Sequence, residues 1–255
     1  MTISSALQPQ PGAMIIGASS GLGAALARRF AKGGYRVALL ARRTELLDAL
    51  CQELNQQYGA NTARAYAHDV THFAEAPALF QTALKDLGQL EVVIYNAGVM
   101  PAVTISEFNF EKDYAMLQVN LAGAVAWLNQ AASLFEKLGR GHLVGISSIA
   151  GERGRVKSPV YNVSKAGLTT YLEALRNRLT RKGVHVLTVK PGFMQTDMLA
   201  SAGGNLKGIP PEQAAEDVWQ AIRHRRQTIF TPARWSLVAL VVRHIPSVIF
   251  RRMSF

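Results

Sequence analysis

The sequence predicts a single α/β domain: one doubly wound parallel sheet of about seven strands with helices on both faces. Short apolar runs alternate with amphipathic stretches along most of the 255 residues. The connections between them are short, as strand–helix–strand crossovers require. No Gly/Pro/Ser-rich linker, internal repeat or low-complexity tract divides the chain.

Taken in order, "AMIIG" (13–17) reads as a buried strand, followed by a helix from about Gly21 to Lys32. "YRVALLA" (35–41) is the second strand, and "TELLDALCQELNQQY" (44–58) the second helix, with Thr44 as its N-cap. Strands continue at "ARAYAHDV" (63–70), "LEVVIYNAG" (90–98), "GHLVGISS" (141–148) and "HVLTVKPG" (185–192). Helical segments are expected at about 72–87, 107–138 and 159–181. A last helix, "PPEQAAEDVWQAIRHRR", leads to the strand "QTIFTP" (227–232).

Hydrophobic residues make up 49% of the chain and charged residues 18%, which excludes a disordered protein. The single cysteine, Cys51, excludes an internal disulfide framework and fits a reducing, cytoplasmic setting. Its helical stripe, "LLDALCQEL", suits a buried, inert thiol. The net charge of +11 is spread along the chain, without zinc-finger spacing or aromatic-interleaved basic strands, which argues against a nucleic-acid partner. A groove for a phosphorylated ligand, or attraction to an anionic membrane, accounts for the sign as well. Residues 1–12 lack the charge and apolar pattern of a signal peptide and read as a disordered lead.

Two local patterns carry chemistry. In "GASSGLGAA", three glycines (Gly17, Gly21, Gly23) sit between a buried strand and a helix. Such a turn lets backbone approach a pyrophosphate, with the helix N-terminus facing its charge. In "SPVYNVSKAGL", Tyr161 and Lys165 stand four apart on a helical stretch, so both side chains share one face. An ammonium near a phenol favours the phenolate and lowers its pKa towards neutrality.

Together these patterns resemble the short-chain dehydrogenase/reductase family over about residues 13–232. The similarity rests on motifs in family order: "GASSGLG" (17–23), "HDV" (68–70), "NAG" (96–98), Asn120 in "LQVNLAG", "SS" (147–148), "YNVSK" (161–165) and "PGFMQT" (191–196). Ile16, where the family usually has Thr, and Tyr95, where it has Asn, are departures. The resemblance implies a Rossmann-like fold and a hydride transfer between a nicotinamide cofactor and a small carbonyl or secondary alcohol substrate. It implies that Tyr161 is the general acid/base, that Lys165 lowers its pKa and holds the nicotinamide ribose, and that Ser148 holds the substrate oxygen. Asn120 would anchor a proton-relaying water.

For the cofactor, the resemblance implies contacts along Gly17, Ser19, Ser20, Gly21, Leu22 and Gly23. It places Asp69 and Val70 at the adenine, and Asn96, Ala97 and Gly98 at the adenosine ribose. Pro191 and Gly192 fall at a strand end, and Thr196 at the carboxamide. NAD enzymes of this fold carry an acid at the end of the second strand. Here "LLARRTE" has Ala41 followed by Arg42 and Arg43, which favours NADP(H) over NAD(H), with Arg42 the better candidate for the 2′-phosphate. No metal is expected, although His68 and His72 flank "DVT". A catalytically silent NADP(H)-binding regulatory protein of the same fold is the alternative reading.

The Gly-rich segment within 193–213 reads as a mobile lid. Arg153, Arg155 and Lys157 read as a solvated loop, with selection for an acidic substrate as the alternative. Residues 233–255 form an apolar, basic extension too short in its apolar run to span a bilayer. Closing the substrate pocket or packing on a partner subunit is preferred for it, with peripheral membrane contact as a third reading. A homodimer or homotetramer is expected from the family, through the long helices near 107–138 and 159–181.

Overall fold

The computed structural model describes residues 10–197, 199 and 207–253. Seven strands form one sheet: β1 (Gly12–Ile16), β2 (Arg36–Ala41), β3 (Ala63–Ala67), β4 (Val92–Tyr95), β5 (His142–Ile146), β6 (His185–Pro191) and β7 (Thr228–Thr231). All pairings are parallel, in the order β3-β2-β1-β4-β5-β6-β7. β1, β2, β4 and β6 are almost continuously buried because helices cover both faces of the sheet.

Successive β1 side chains alternate between two cores. Ala13 and Ile15 pack beneath α1 (Gly21–Lys32), α2 (Thr44–Tyr58) and α7 (Pro211–Arg223), with Phe30, Leu47 and Trp219. Met14 and Ile16 face α3 (Ala76–Leu87), α5 (Gly123–Leu138) and α6 (Pro159–Leu179), with Phe80, Trp127 and Leu172. Ile16 is therefore a core residue, and each such buried side chain is worth roughly 1.5–3 kcal/mol.

Several boundaries differ from the sequence expectation for local reasons. Thr44 is the first helical residue of α2, and Arg43 takes the N-cap position without a side-chain cap bond. The segment before α3 is a 3₁₀ turn, Phe73–Glu75; Pro77, having no N–H, fits only the first helical turn. The expected long helix 107–138 is α4 (Phe110–Leu117), a π-helical stretch at Gln118–Ala122, then α5. Asn109 caps α4 by accepting from the Lys112 N–H. The extension folds as α8 (Trp235–His244) and α9 (Ser247–Phe250). Among the described residues no helix is long and apolar enough to cross a membrane.

Because β1 lies between β2 and β4, the chain leaves it in opposite directions on its two sides. The crevice beyond the carboxyl ends of β1 and β4 is where this topology places a ligand.

Candidate active site

A cavity of about 860 Å³ follows the carboxyl ends of the strands from Arg42 to Trp235. At one end lies the glycine turn. Gly17 has φ +90°, and a Cβ there would stand 2.5 Å from the Ala97 nitrogen, so only glycine fits. The N-cap of α1, Ser20, makes no side-chain cap bond, and the first turn carries no acid. The helix N-terminal N–H groups thus lack a side-chain acceptor and suit an incoming phosphate.

Gly17, Ser19, Ser20, Gly21 and Leu22 line the cavity. Gly23 does not: a Cβ there would collide with the Gly17 carbonyl, so its part is to let α1 close on β1. Asn96 braces the same carbonyl from the β4 side, its Nδ2 donating to Gly17 O at 2.7 Å. Ala97, Gly98 and Val70 complete this wall.

Both arginines after β2 reach the cavity. Arg43 donates to Ser19 Oγ at 2.9 Å and Ser20 Oγ at 2.6 Å. Arg42 Nη1 stands 3.6 Å from Asp69 Oδ2. Burial pushes the Asp69 carboxyl up, but hydrogen bonds from Thr71 and the Arg42 charge outweigh this and hold it below its ordinary value. His68 and His72 both approach Glu75, at 3.4 and 3.5 Å, and His68 Nε2 accepts from the Trp127 indole at 3.3 Å. Among the described residues no cluster of three His, Cys, Asp or Glu groups could hold a metal.

Toward the middle, Ser148, Tyr161 and Lys165 line one wall. Ser148 caps a 3₁₀ turn at Ile149–Glu152, its Oγ accepting from Ala150 N at 3.1 Å. Ser147 is committed elsewhere, donating to the Lys165 carbonyl at 2.9 Å and bonding Thr169 at 2.8 Å. This leaves Ser148 as the serine beside Tyr161.

The Tyr–Lys electrostatics differ from the sequence expectation. Lys165 Nζ donates to the Ile146 carbonyl at 2.9 Å and lies 5.8 Å from the Tyr161 ring centroid. Burial lowers its own pKa to about 8. Burial raises the Tyr161 phenol, while a hydrogen bond from Ser148 and the Arg155 charge pull it back. Within the protein alone, Ser148 and Arg155, rather than Lys165, oppose the upward shift.

Asn120 is fully buried in the π-helical stretch and is not on the cavity wall. Its Oδ1 accepts from Val99 N at 2.7 Å, and its Nδ2 donates to Val99 O and Ser164 Oγ, both at 3.0 Å. Ser164 in turn donates to the Tyr161 carbonyl at 2.8 Å. The side chain is thus committed to tying the loop after β4 to α6. Tyr95 supports the same stretch, donating to the Val119 carbonyl at 2.5 Å.

At the far end, Pro191, Gly192 and Thr196 line the cavity beside Phe193 and Met194. Met194 bridges to Ile209, and residues 211–213 of the expected lid belong to α7; its residues 198 and 200–206 lie outside the described residues. The outer wall comes from α8, through Trp235, Val238 and Val242. Trp235 packs against Gly192 and meets the Phe193 ring edge-on at 5.4 Å.

Arg153 and Arg155 are not the solvated loop expected from sequence. Arg153 donates to the Val242 and Ile245 carbonyls and lies 3.9 Å over the Phe250 ring. Arg155 donates to Asn162 Oδ1 at 3.2 Å. Beside Arg153, the buried Glu152 carboxylate pairs with Lys190 at 2.7 Å and with Arg243 of α8. Sequence reasoning missed Met100–Val103, whereas α8 forms the outer wall in the way the pocket-closing reading of residues 233–255 expected. Only the apolar "VMPAV" after "NAG" hinted at Met100–Val103.

Fold and site together define a dinucleotide-binding oxidoreductase. The short chain dehydrogenase model matches residues 12–206, and the chain belongs to that family. An uncharacterized oxidoreductase of Mycobacterium tuberculosis is 34% identical over 195 residues, covering 76% of this chain and 77% of the relative. One of Myxococcus xanthus is 35% identical over 189 residues, 74% of each. Among solved structures, a variant of actinorhodin polyketide ketoreductase with NADPH superposes with a TM-score of 0.80 at 27% identity, covering 88% of this chain and 96% of that one. An alcohol dehydrogenase from Thermococcus sibiricus complexed with 5-hydroxy-NADP gives 0.78 at 25% identity, covering 86% and 95%.

Proposed function

We propose that this oxidoreductase interconverts a small carbonyl compound and its secondary alcohol with NADP(H). The observation that carries the reading is the meeting of Tyr161, Lys165 and Ser148 on one wall of a cavity whose other end is the glycine turn. A bound nicotinamide supplies or accepts the hydride. Tyr161 donates its phenolic proton to the developing alkoxide and reclaims it in the reverse direction. Ser148 donates a hydrogen bond to the same oxygen, stabilising charge where it grows. Lys165, buried on the same wall with its Nζ held by the Ile146 carbonyl, would hold the nicotinamide ribose. Asn120 acts at one remove, holding α6 through Ser164.

NADP(H) is favoured by Arg42, Arg43, Ser19 and Ser20, which line the cavity and offer guanidinium and hydroxyl donors to a 2′-phosphate, with no acid at the end of β2. The NADPH complex of the actinorhodin ketoreductase and the 5-hydroxy-NADP complex of the Thermococcus enzyme support the same choice. Exposed Ile105, Phe108, Phe110 and Tyr114, around the start of α4, suit a homodimer or homotetramer contact. That Tyr161, Lys165 and Ser148 all line the cavity supports the enzymatic reading over the silent regulatory alternative.

A panel of ketones, aldehydes and secondary alcohols, followed by NADPH and NADH absorbance, tests the proposal. Turnover of at least one member with NADPH is expected. Tight NADPH binding with no oxidation across the panel would transfer the case to the regulatory reading.

A further inference from the structure

We propose that α8 and α9 rest on the surface of an anionic phospholipid bilayer, keeping the adjoining cavity wall beside the membrane. The two faces of α8 are differently committed. Trp235, Ala239 and Val242, at helical spacing, turn inward against the body of the protein. Arg153 holds the carbonyls at the end of this helix, and Glu152 holds Arg243, so the segment cannot roll over to hide its other side.

That other side is apolar. Leu237, Leu240 and Val241, at positions i, i+3 and i+4, are 68%, 56% and 61% exposed. After the turn at Pro246, Val248 and Ile249 on α9 are 57% and 54% exposed. An amphipathic segment with apolar side chains outward and arginines at its flanks lies in the headgroup region rather than across the bilayer.

Charge selects the occupant. Residues 233–255 contain four arginines and no aspartate or glutamate. Arg234, Arg251 and Arg252 are exposed and have no carboxylate partner among the described residues. A second copy of this chain, itself +11, would bring the same unpaired cations together across the face. Phosphate headgroups neutralise them instead. The other exposed apolar group, Phe108 and Phe110, is interspersed with Glu107, Glu111 and Asp113 and lacks this complementarity.

The test is flotation of the full chain with vesicles of phosphatidylcholine alone or with a third phosphatidylglycerol, at low and high salt. Leu237→Ser/Leu240→Ser/Val241→Ser and Arg251→Gln/Arg252→Gln are run in parallel, with NADPH binding and circular dichroism as folding controls and sedimentation velocity for oligomeric state. These positions lie off the cavity wall, so dinucleotide binding should be unchanged. Expected is recovery with the anionic vesicles only, weakened by salt, and reduced at least roughly tenfold in both folded variants. Equal flotation with neutral vesicles, no flotation, or binding that both variants retain would overturn the proposal. So would a serine variant that dissociates an oligomer while wild type ignores vesicles, which would make the face a protein contact.

Discussion

At the Gly17 end of the cavity the wall is mostly backbone, set by a strand, a turn and a helix contiguous in sequence. At the Trp235 end it is side chains meeting from far apart: Arg153 grips Ile245 across 92 residues, and Glu152 holds Arg243 across 91. The first end has a form suited to a phosphate at a helix N-terminus and requires few residue types. The second is assembled from long-range pairs. Contacts of the first kind tolerate change around them but not at the glycines. Contacts of the second kind can be lost one pair at a time.

The largest expected effect at the assembled end follows from Glu152, whose side chain is 2% exposed against a Lys190 side chain at 6%. Glu152→Gln strands a buried ammonium and should cost about 3–5 kcal/mol of stability. Urea titration measures this. If the two ends are as independent as they look, substrate KM should rise while NADPH affinity holds in the folded fraction.

Lys165 stands between the two ends. Its folded-state pKa, about 8, lies below the ordinary lysine value of 10.5. The sign follows: the buried ammonium costs stability at pH below 8, and that cost fades as the pH rises towards the unfolded-state value. Lys165→Met should therefore stabilise the fold at pH 7, by about 1–3 kcal/mol, while turnover collapses. Thermal melts at pH 7 and at alkaline pH, where the gain should shrink, test it.

At the backbone end, Arg42→Ala/Arg43→Ala removes charge-assisted hydrogen bonds and should weaken NADPH roughly 10- to 100-fold with little change for NADH. Equal losses by calorimetry would contradict the phosphate assignment. The smallest effect is expected from Arg155→Met. Arg155 pulls the Tyr161 phenol down, so its removal should move the alkaline rise of alcohol oxidation to higher pH in the kcat/KM profile.

The same division explains what the sequence made legible. β1 to β7 and the glycine turn follow from apolar runs and a local motif, and Tyr161 and Lys165 share a face because four residues make about one helical turn. The π-helical stretch is different. It depends on Tyr95 reaching Val119 and on Asn120 reaching Val99 and Ser164, contacts that no periodicity encodes. Arg153 looked solvated because its acceptors are backbone carbonyls, and these leave no trace in residue type. Thr44 lost the cap position by one residue, within the ordinary fraying of helix ends.

The most direct measurement is single-turnover oxidation of bound NADPH by a carbonyl substrate, wild type against Tyr161→Phe, with NADPH affinity determined in parallel. A loss of roughly 100- to 10,000-fold in the hydride-transfer rate, at nearly unchanged affinity, is predicted. A phenylalanine variant that turns over at the wild-type rate would contradict the assignment of the proton to Tyr161.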